Sequence, residues 1–427
     1  MNTNPTTGKA AHVQSPIKVL FLTFYWEAWD ALAAIHTLML ADERFDVRVI
    51  AIPRKLTGDE AFDDASGVHQ FLLEAGVEHE VLNPTDSWAG NAKIKALAPD
   101  YTFVNYPWRR NYQPGYRPEE LAKFTRIAYV PYFSQPLTNE PGDQGVAPYL
   151  YTQRTHQIAS LIFSQDSFTQ RAFAQTARGN SHVHFTGSPK IDYLLAESEA
   201  AKTDEFTIVW APHHSYSQHW LNFGVFAQMY QAMLVWASEH PEVRVVLRPH
   251  PFLFGTVVER NVIEARALED WLEAWRALPN TSIDEHSTGA NLMHSADILI
   301  TDGISFLAEY PLATGKPAIY LENQGHWDFS PIGELAAAAN VCLSNFEEFV
   351  AGYEFIREAG LPDRAVEIEE LRQAACPYPG KTAERIVELV IEHASSGPGG
   401  SLPALIDPAE PTDLAWEFQP GREPQVD

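Results

Sequence analysis

The sequence predicts an α/β protein built from two parallel-sheet domains. Three observations carry that reading. Short apolar runs alternate with helical patterns along most of the chain. The alternation breaks near residue 197 and restarts at 206. The length, 427 residues, exceeds one ordinary core and suits two domains of about 200 residues each.

The elements follow in order. Ile17–Phe24 (IKVLFLTF) is a continuous apolar run, the mark of a strand buried on both faces. Trp29–Leu40 reads as a helix, with Trp29, Leu32, Ala33 and His36 at helical spacing. Val47–Ile52 is a second strand. Helical stretches follow at Glu60–Glu74 and Ala89–Leu97, and strands at Tyr101–Asn105, Ile127–Tyr132, Leu161–Ser164 and Val183–Thr186. Beyond Gly187-Ser188-Pro189 the stretch Glu197–Glu205 is charged and rich in small residues, and reads as a linker. Strands then recur at Phe206–Trp210, Val243–Leu247, Ile298–Thr301, Ala318–Leu321 and Val341–Leu343. The helices between them are long, notably Val258–Leu278, and the last helix is Lys381–His393. Strand–helix alternation of this kind implies right-handed crossovers and parallel sheets. The expected division is a loose N-terminus 1–15, a first domain 16–196, a linker 197–205, a second domain 206–394, and an acidic Pro/Gly-rich tail 395–427. Two such domains in tandem predict a cleft, with ligands beyond the carboxyl ends of the strands.

Charge narrows the function. The chain carries 30 Lys+Arg against 56 Asp+Glu, a net of −26, which excludes a broad nucleic-acid coat and a broadly basic membrane surface. Residues 1–200 hold 17 basic and 22 acidic side chains, and residues 201–427 hold 13 and 34, so the acidity lies in the second half. Cys342 and Cys376 are the only cysteines and form no CxxC, so no disulfide framework or cysteine zinc site is expected. No apolar signal core and no run of 18 apolar residues appears, and a cytoplasmic protein is the expectation.

Three strand ends in the second half carry chemistry. Phe206–Trp210 runs into Ala211-Pro212-His213-His214-Ser215. Val243–Leu247 runs into Arg248-Pro249-His250-Pro251, where prolines stiffen the chain around a forked cation and an imidazole. Ile298–Thr301 runs into Asp302-Gly303-Ile304-Ser305 and a helix, which places free N–H groups and a positive helix end at one spot. Glu309 lies four residues beyond Ser305 on the same helix face and suits ribose hydroxyls. The plainer reading makes Ser305 an N-cap and Glu309 a solvated acid. Adjacent His213 and His214 make a poor metal pair, so one lining the cleft and the other capping or facing solvent is expected. No metal and no cofactor is assigned.

In the first half, Tyr25-Trp26-Glu27 follows the first strand with none of the glycines of a dinucleotide fingerprint. Trp108 and Arg109 end another strand, and Tyr132 a third. All read as an acceptor-side wall or as ordinary packing. GxSxG, HExxH and Walker A patterns are lacking.

WAPHH, RPHP and SADILITDGISFLAEYPLATGKPAIYL, in this order, resemble the CDP-glycerol glycerophosphotransferase family of teichoic-acid-type enzymes. PDYTFVNYPW, AYVPYF and VHFTGSPKID are similar to first-domain segments of one branch of it, so the resemblance covers roughly residues 17–393. It implies a GT-B fold, two Rossmann-like domains with parallel sheets facing across a cleft. It implies donor binding by His213, His214, Asp302, Gly303, Ile304, Ser305 and Glu309, with Arg248 and His250 near the transferred phosphate. Tyr25, Trp26, Trp108, Arg109 and Tyr132 would line the acceptor side. Many members carry a His-Gly pair where this chain reads VPYFSQPLT, so Glu27 or Asp30 is expected as base by position.

The implied reaction moves glycerol phosphate from CDP-glycerol, or a similar nucleotide-activated donor, to a hydroxyl of a polyol-phosphate or glycan acceptor. A glycosyltransferase, a nonhydrolysing nucleotide-sugar epimerase and a non-catalytic nucleotide-binding relative are the alternatives. Arg109, Arg110, Arg117, Lys123 and Arg126 form a candidate patch for peripheral inner-membrane contact, with a solvated loop as the plainer reading.

Overall fold

The computed structural model describes residues 15–55, 61–82, 85–139, 151–196, 205–217, 221–284 and 290–406. The expected N-terminal segment 1–15 and linker 197–205 lie almost wholly outside these residues, as does most of the tail.

Two parallel sheets form. The first contains β1 (Ile17–Thr23), β2 (Phe45–Ala51), β3 (Glu80–Val81), β4 (Tyr101–Val104), β5 (Arg126–Tyr129), β6 (Leu161–Ser164) and β7 (Val183–Phe185), in the order β3-β2-β1-β4-β5-β6-β7. The second contains β8 (Thr207–Ala211), β9 (Arg244–Leu247), β10 (Thr281–Ile283), β11 (Ile298–Thr301), β12 (Ile319–Leu321) and β13 (Val341–Leu343), in the order β10-β9-β8-β11-β12-β13. Each order reverses beside its first strand, at β1/β4 and at β8/β11. Such switch points leave the strand ends open to a ligand.

The expected strands are present, with ends displaced by at most three residues, the largest at Ile127–Tyr132, which ends at Tyr129; the short edge strands β3 and β10 are not among those expected. The expected helix Val258–Leu278 is two helices, Leu253–Glu259 and Ala265–Ala277. Asn261, at φ 52° in the left-handed region that asparagine tolerates, breaks the run between them. The last helix runs Thr382–Ser395.

By Cα proximity the chain forms two compact units. One comprises the described residues of Met1–Val130, Gln153–Phe163 and Ala383–Leu414, the other those of Pro131–Thr152 and Ser164–Thr382. The first unit's core joins Val19, Phe21, Ile35 and Phe103 to Ile386 and Val390 of the last helix, which the sequence reading counts with the second domain. Tyr101 Oη bonds His393 Nδ1 there at 2.7 Å. The second unit has a core on each face of its sheet. One is aliphatic, around Val209, Leu299, Leu307 and Leu371. The other is aromatic, around Trp210, Phe226, Trp271 and Trp275. At about 25 cal/mol per Å² of buried apolar surface, each such tryptophan contributes several kcal/mol.

Candidate functional site

Register assembles the site. β8 pairs with β9 so that Trp210 lies beside Leu247, and β8 pairs with β11 so that Trp210 lies beside Ile300. Three residues past each paired position stand His213, His250 and Gly303. Equal offsets in a parallel sheet bring these three strand ends side by side. The centroid of the His213 ring lies 4.7 Å from that of His214 and 5.3 Å from that of His250. His214 stacks on His250 at 3.9 Å with 25° between planes. A Cβ on Gly303 would sit 3.0 Å from His213 Cβ, so the glycine makes room for the ring.

All three imidazoles are neutral near pH 7. Burial lowers His213 well below its usual range, with repulsion from His214 second. Burial, then the charge of Arg260, holds His214 at about 4. Burial, then His214 and His213, lowers His250 well below its usual range. Desolvation disfavours a charged ring wherever no anion compensates.

Asp302 turns inward. Its Oδ1 accepts the His213 N–H at 2.5 Å and its Oδ2 the Val225 N–H at 2.6 Å. Burial pushes its carboxyl up to about 7 despite these bonds. It therefore fixes the loop that carries the histidines. Gly303 caps the helix Ile304–Thr314 with no side-chain cap bond, so that first turn has no side-chain acceptor at its N-cap. Ile304 is half-buried, and Ser305 is exposed in that turn rather than being the N-cap.

Glu309 is not a surface acid. It is 3% exposed, accepts Ser134 Oγ at 2.8 Å and pairs with Lys190 Nζ at 3.1 Å. Ser134, Lys190 and Glu309 come from VPYFSQ, GSPK and GISFLAEY, three segments that the sequence gives no reason to join. Arg248 pairs with Asp284 at 2.5 Å, and its N–H donates to the Trp210 carbonyl at 2.7 Å. Ser215 is a further residue that sequence reasoning missed. Its Oγ lies 2.8 Å from His213 Nδ1 and accepts the Phe223 N–H at 2.9 Å. Only its place two residues after His213 could have signalled it.

In the first unit, Glu27 meets Arg54 at 2.8 Å, and the Arg54 guanidinium lies over the Trp26 ring at 3.6 Å and nearer the edge of contact with Tyr25 at 5.8 Å. Burial raises the Glu27 carboxyl against the pull of Arg54. Asp30, half-buried, opens the helix Asp30–Leu40. Trp108 precedes a short 3-10 turn, and Arg109 pairs with Glu119. Within the basic patch Lys123 pairs with Glu120 at 2.5 Å, and buried Arg126 donates to carbonyls of Asp100 and Pro403. Tyr132, in the second unit, lies edge-on to Phe133 at 5.0 Å.

No family model matches the sequence, and no curated protein matches it. Solved structures do. UDP-GlcNAc 2-epimerase from Neisseria meningitidis, bound to UDP-GlcNAc, is 15% identical over 88% of this chain and 100% of its own, with a TM-score of 0.56. The UDP-GlcNAc 2-epimerase from Methanocaldococcus jannaschii is 12% identical over 88% and 99%, also at 0.56. The wall teichoic acid polymerase TagF, in a variant soaked with CDPG, is 12% identical over 88% and 89%, at 0.55. These likenesses and the two parallel-sheet domains define the fold as GT-B. Among the described residues no helix is long and apolar enough to cross a membrane.

Proposed function

We propose that the protein is a transferase that moves glycerol phosphate, or a related group, from a CDP-activated donor to a hydroxyl of a cell-surface polymer or glycolipid. One observation carries the reading most: β8, β9 and β11 bring His213, His250 and a glycine-capped helix start to the same register position. N–H groups at a helix start suit a diphosphate, and neutral imidazoles add hydrogen-bonding groups that need no counter-ion.

In the reaction an acceptor oxygen attacks the β-phosphorus. The bond from that phosphorus to the bridging oxygen breaks and CMP leaves. The hydroxyl proton passes to an acceptor-side base, for which Glu27 and Asp30 are the candidates by position. Positioning and charge neutralisation supply most of the rate in such transfers. Arg248 and His250 stand by the leaving phosphate, and the turn Gly303–Ser305 faces the donor. Glu309, the candidate for the donor ribose by sequence position, is engaged by Lys190 and Ser134, so contact with a ribose requires it to exchange one of these partners.

The test is CMP release from CDP-glycerol with a panel of polyol-phosphate and glycan acceptors. CMP formation that is lost in His250→Ala supports the reading. Tight CDP binding without CMP release for any acceptor overturns transfer in favour of a non-catalytic binder. Turnover of a UDP-sugar alone reassigns the site to a glycosyltransferase or epimerase.

A further inference from the structure

The strand ends after β8 and β9 bring together a set of metal-ligating atoms. His213, His214 and His250 each offer one ring nitrogen, and these three atoms lie within 4.8 Å of one another. We propose that His213, His214 and His250 form a site for one divalent transition-metal ion of the zinc class, held by three imidazole nitrogens with its remaining coordination open.

Donor chemistry selects the metal class. A set of imidazoles alone suits zinc, cobalt, nickel or copper, and does not suit magnesium or calcium, which take oxygen ligands. Imidazole ligates through a neutral ring nitrogen, and three such nitrogens converge here. Ser215 Oγ lies 2.8 Å from His213 Nδ1 and the Ser215 N–H faces the same nitrogen at 3.3 Å, so Ser215 engages Nδ1 and leaves Nε2 for an ion. His250 Nδ1 faces the Phe252 N–H at 3.2 Å, a long contact that is given up when its one ring proton moves to Nδ1.

Ring spacing defines what must move. Imidazoles on a tetrahedral ion, at about 2.0–2.1 Å per Zn–N bond, have centroids roughly 5 Å apart. The His213–His214 and His213–His250 separations, 4.7 and 5.3 Å, already meet this. The stacked His214–His250 pair, at 3.9 Å, must open by about 1 Å. His214 and His250 are both half-buried, whereas His213 is buried, so the opening falls to the stacked pair itself. The sequence reading set the adjacent pair aside as metal ligands, and the third ring, from β9, is what changes the set.

The proposal goes beyond the transferase reading and is tested without turnover. Untagged full-length protein, stripped with a chelator and dialysed, is titrated with Zn²⁺ by calorimetry and with Co²⁺ by visible absorption. Saturable binding of about one ion per chain is expected, with the strong visible bands of low-coordinate Co²⁺. His214→Gln and His250→Gln should each weaken binding by about 100-fold or more, beyond the 10–100-fold typical of an outer-shell partner. His79→Gln, which alters the separate His69–His79 pair, should leave binding unchanged. If His250→Gln fails to fold, His214→Gln, at a half-buried position, decides the matter. No saturable binding, binding that survives His214→Gln, or binding abolished by His79→Gln overturns the site. Metal binding without CMP release, or CMP release without metal binding, separates this proposal from the transferase reading.

Discussion

The two sheets end their strands in opposite ways. Around β1, β2 and β4 the charges are consumed locally: Glu27 with Arg54, Arg109 with Glu119. Around β8 and β9 burial removes charge instead, and three imidazoles share one spot. The first arrangement makes structure from its polar residues. The second keeps hydrogen-bonding and ligating capacity in reserve, because a neutral ring needs no partner ion. Arg248, paired with Asp284, and Lys190, paired with Glu309, are places where the second unit follows the first unit's rule.

Four perturbations break or sharpen that contrast. The largest effect is expected at the buried ion pair of the second unit. Lys190→Met leaves Glu309, 4% exposed at its side chain, without its cation. A loss of about 3–5 kcal/mol is expected in denaturant unfolding. A loss under about 1 kcal/mol would place this pair with the exposed ones.

Acid comes next. The unfolded chain protonates His214 near 6.5, whereas the folded protein resists until about 4. Stability from this group is therefore present above 6.5 and lost as pH falls toward 4, and His213 and His250 act in the same direction. Asp302 opposes them: its folded carboxyl, at about 7, keeps a proton that the unfolded chain releases near 3.8. In chelator-containing buffer, His214→Gln should reduce the acid-induced loss by about 3 kcal/mol, read from unfolding at pH 7 and pH 4. An unchanged difference would show that His214 is not desolvated.

Asp302→Asn is smaller. The amide accepts with one atom only, so one of the two N–H groups from His213 and Val225 loses its acceptor. About 2 kcal/mol is expected in the same assay. Smallest is Arg109→Gln in the first unit, where the arginine is a third exposed. There the expected loss is below about 1 kcal/mol. A loss as large as that of Lys190→Met would abolish the contrast between the units.

Much of this was legible in the residues. The alternation that predicts two parallel sheets is a local, repeating signal, and β6, β11 and β13 have the predicted bounds. The three strand ends in the second half were also legible, since histidine, proline and glycine there break the apolar pattern. Their convergence was not. His214 and His250 are 36 positions apart, and only the β8–β9 register, which apolar runs of similar length do not specify, sets them side by side. The surroundings of Glu309 were hidden for the same reason, since Ser134 is 175 positions away. Asp302 was legible as a residue at the site but not as one facing inward. A loop aspartate has the same sequence signature whether it meets a ligand or a backbone N–H. The Val258–Leu278 helix failed at Asn261, where one left-handed residue outweighed helical periodicity on both sides.

The aromatic core of the second unit has an optical consequence. Trp271 and Trp275 stack at 5.1 Å, and Trp210 lies 6.2 and 6.0 Å from them. Indoles at such separations couple their transitions, so this unit carries its own chromophore. Trp210 is also the penultimate residue of β8, which leads through Ala211 and Pro212 into His213. The emission of this cluster is thus wired by three peptide bonds to the histidines, and it offers a label-free signal of events at the strand ends.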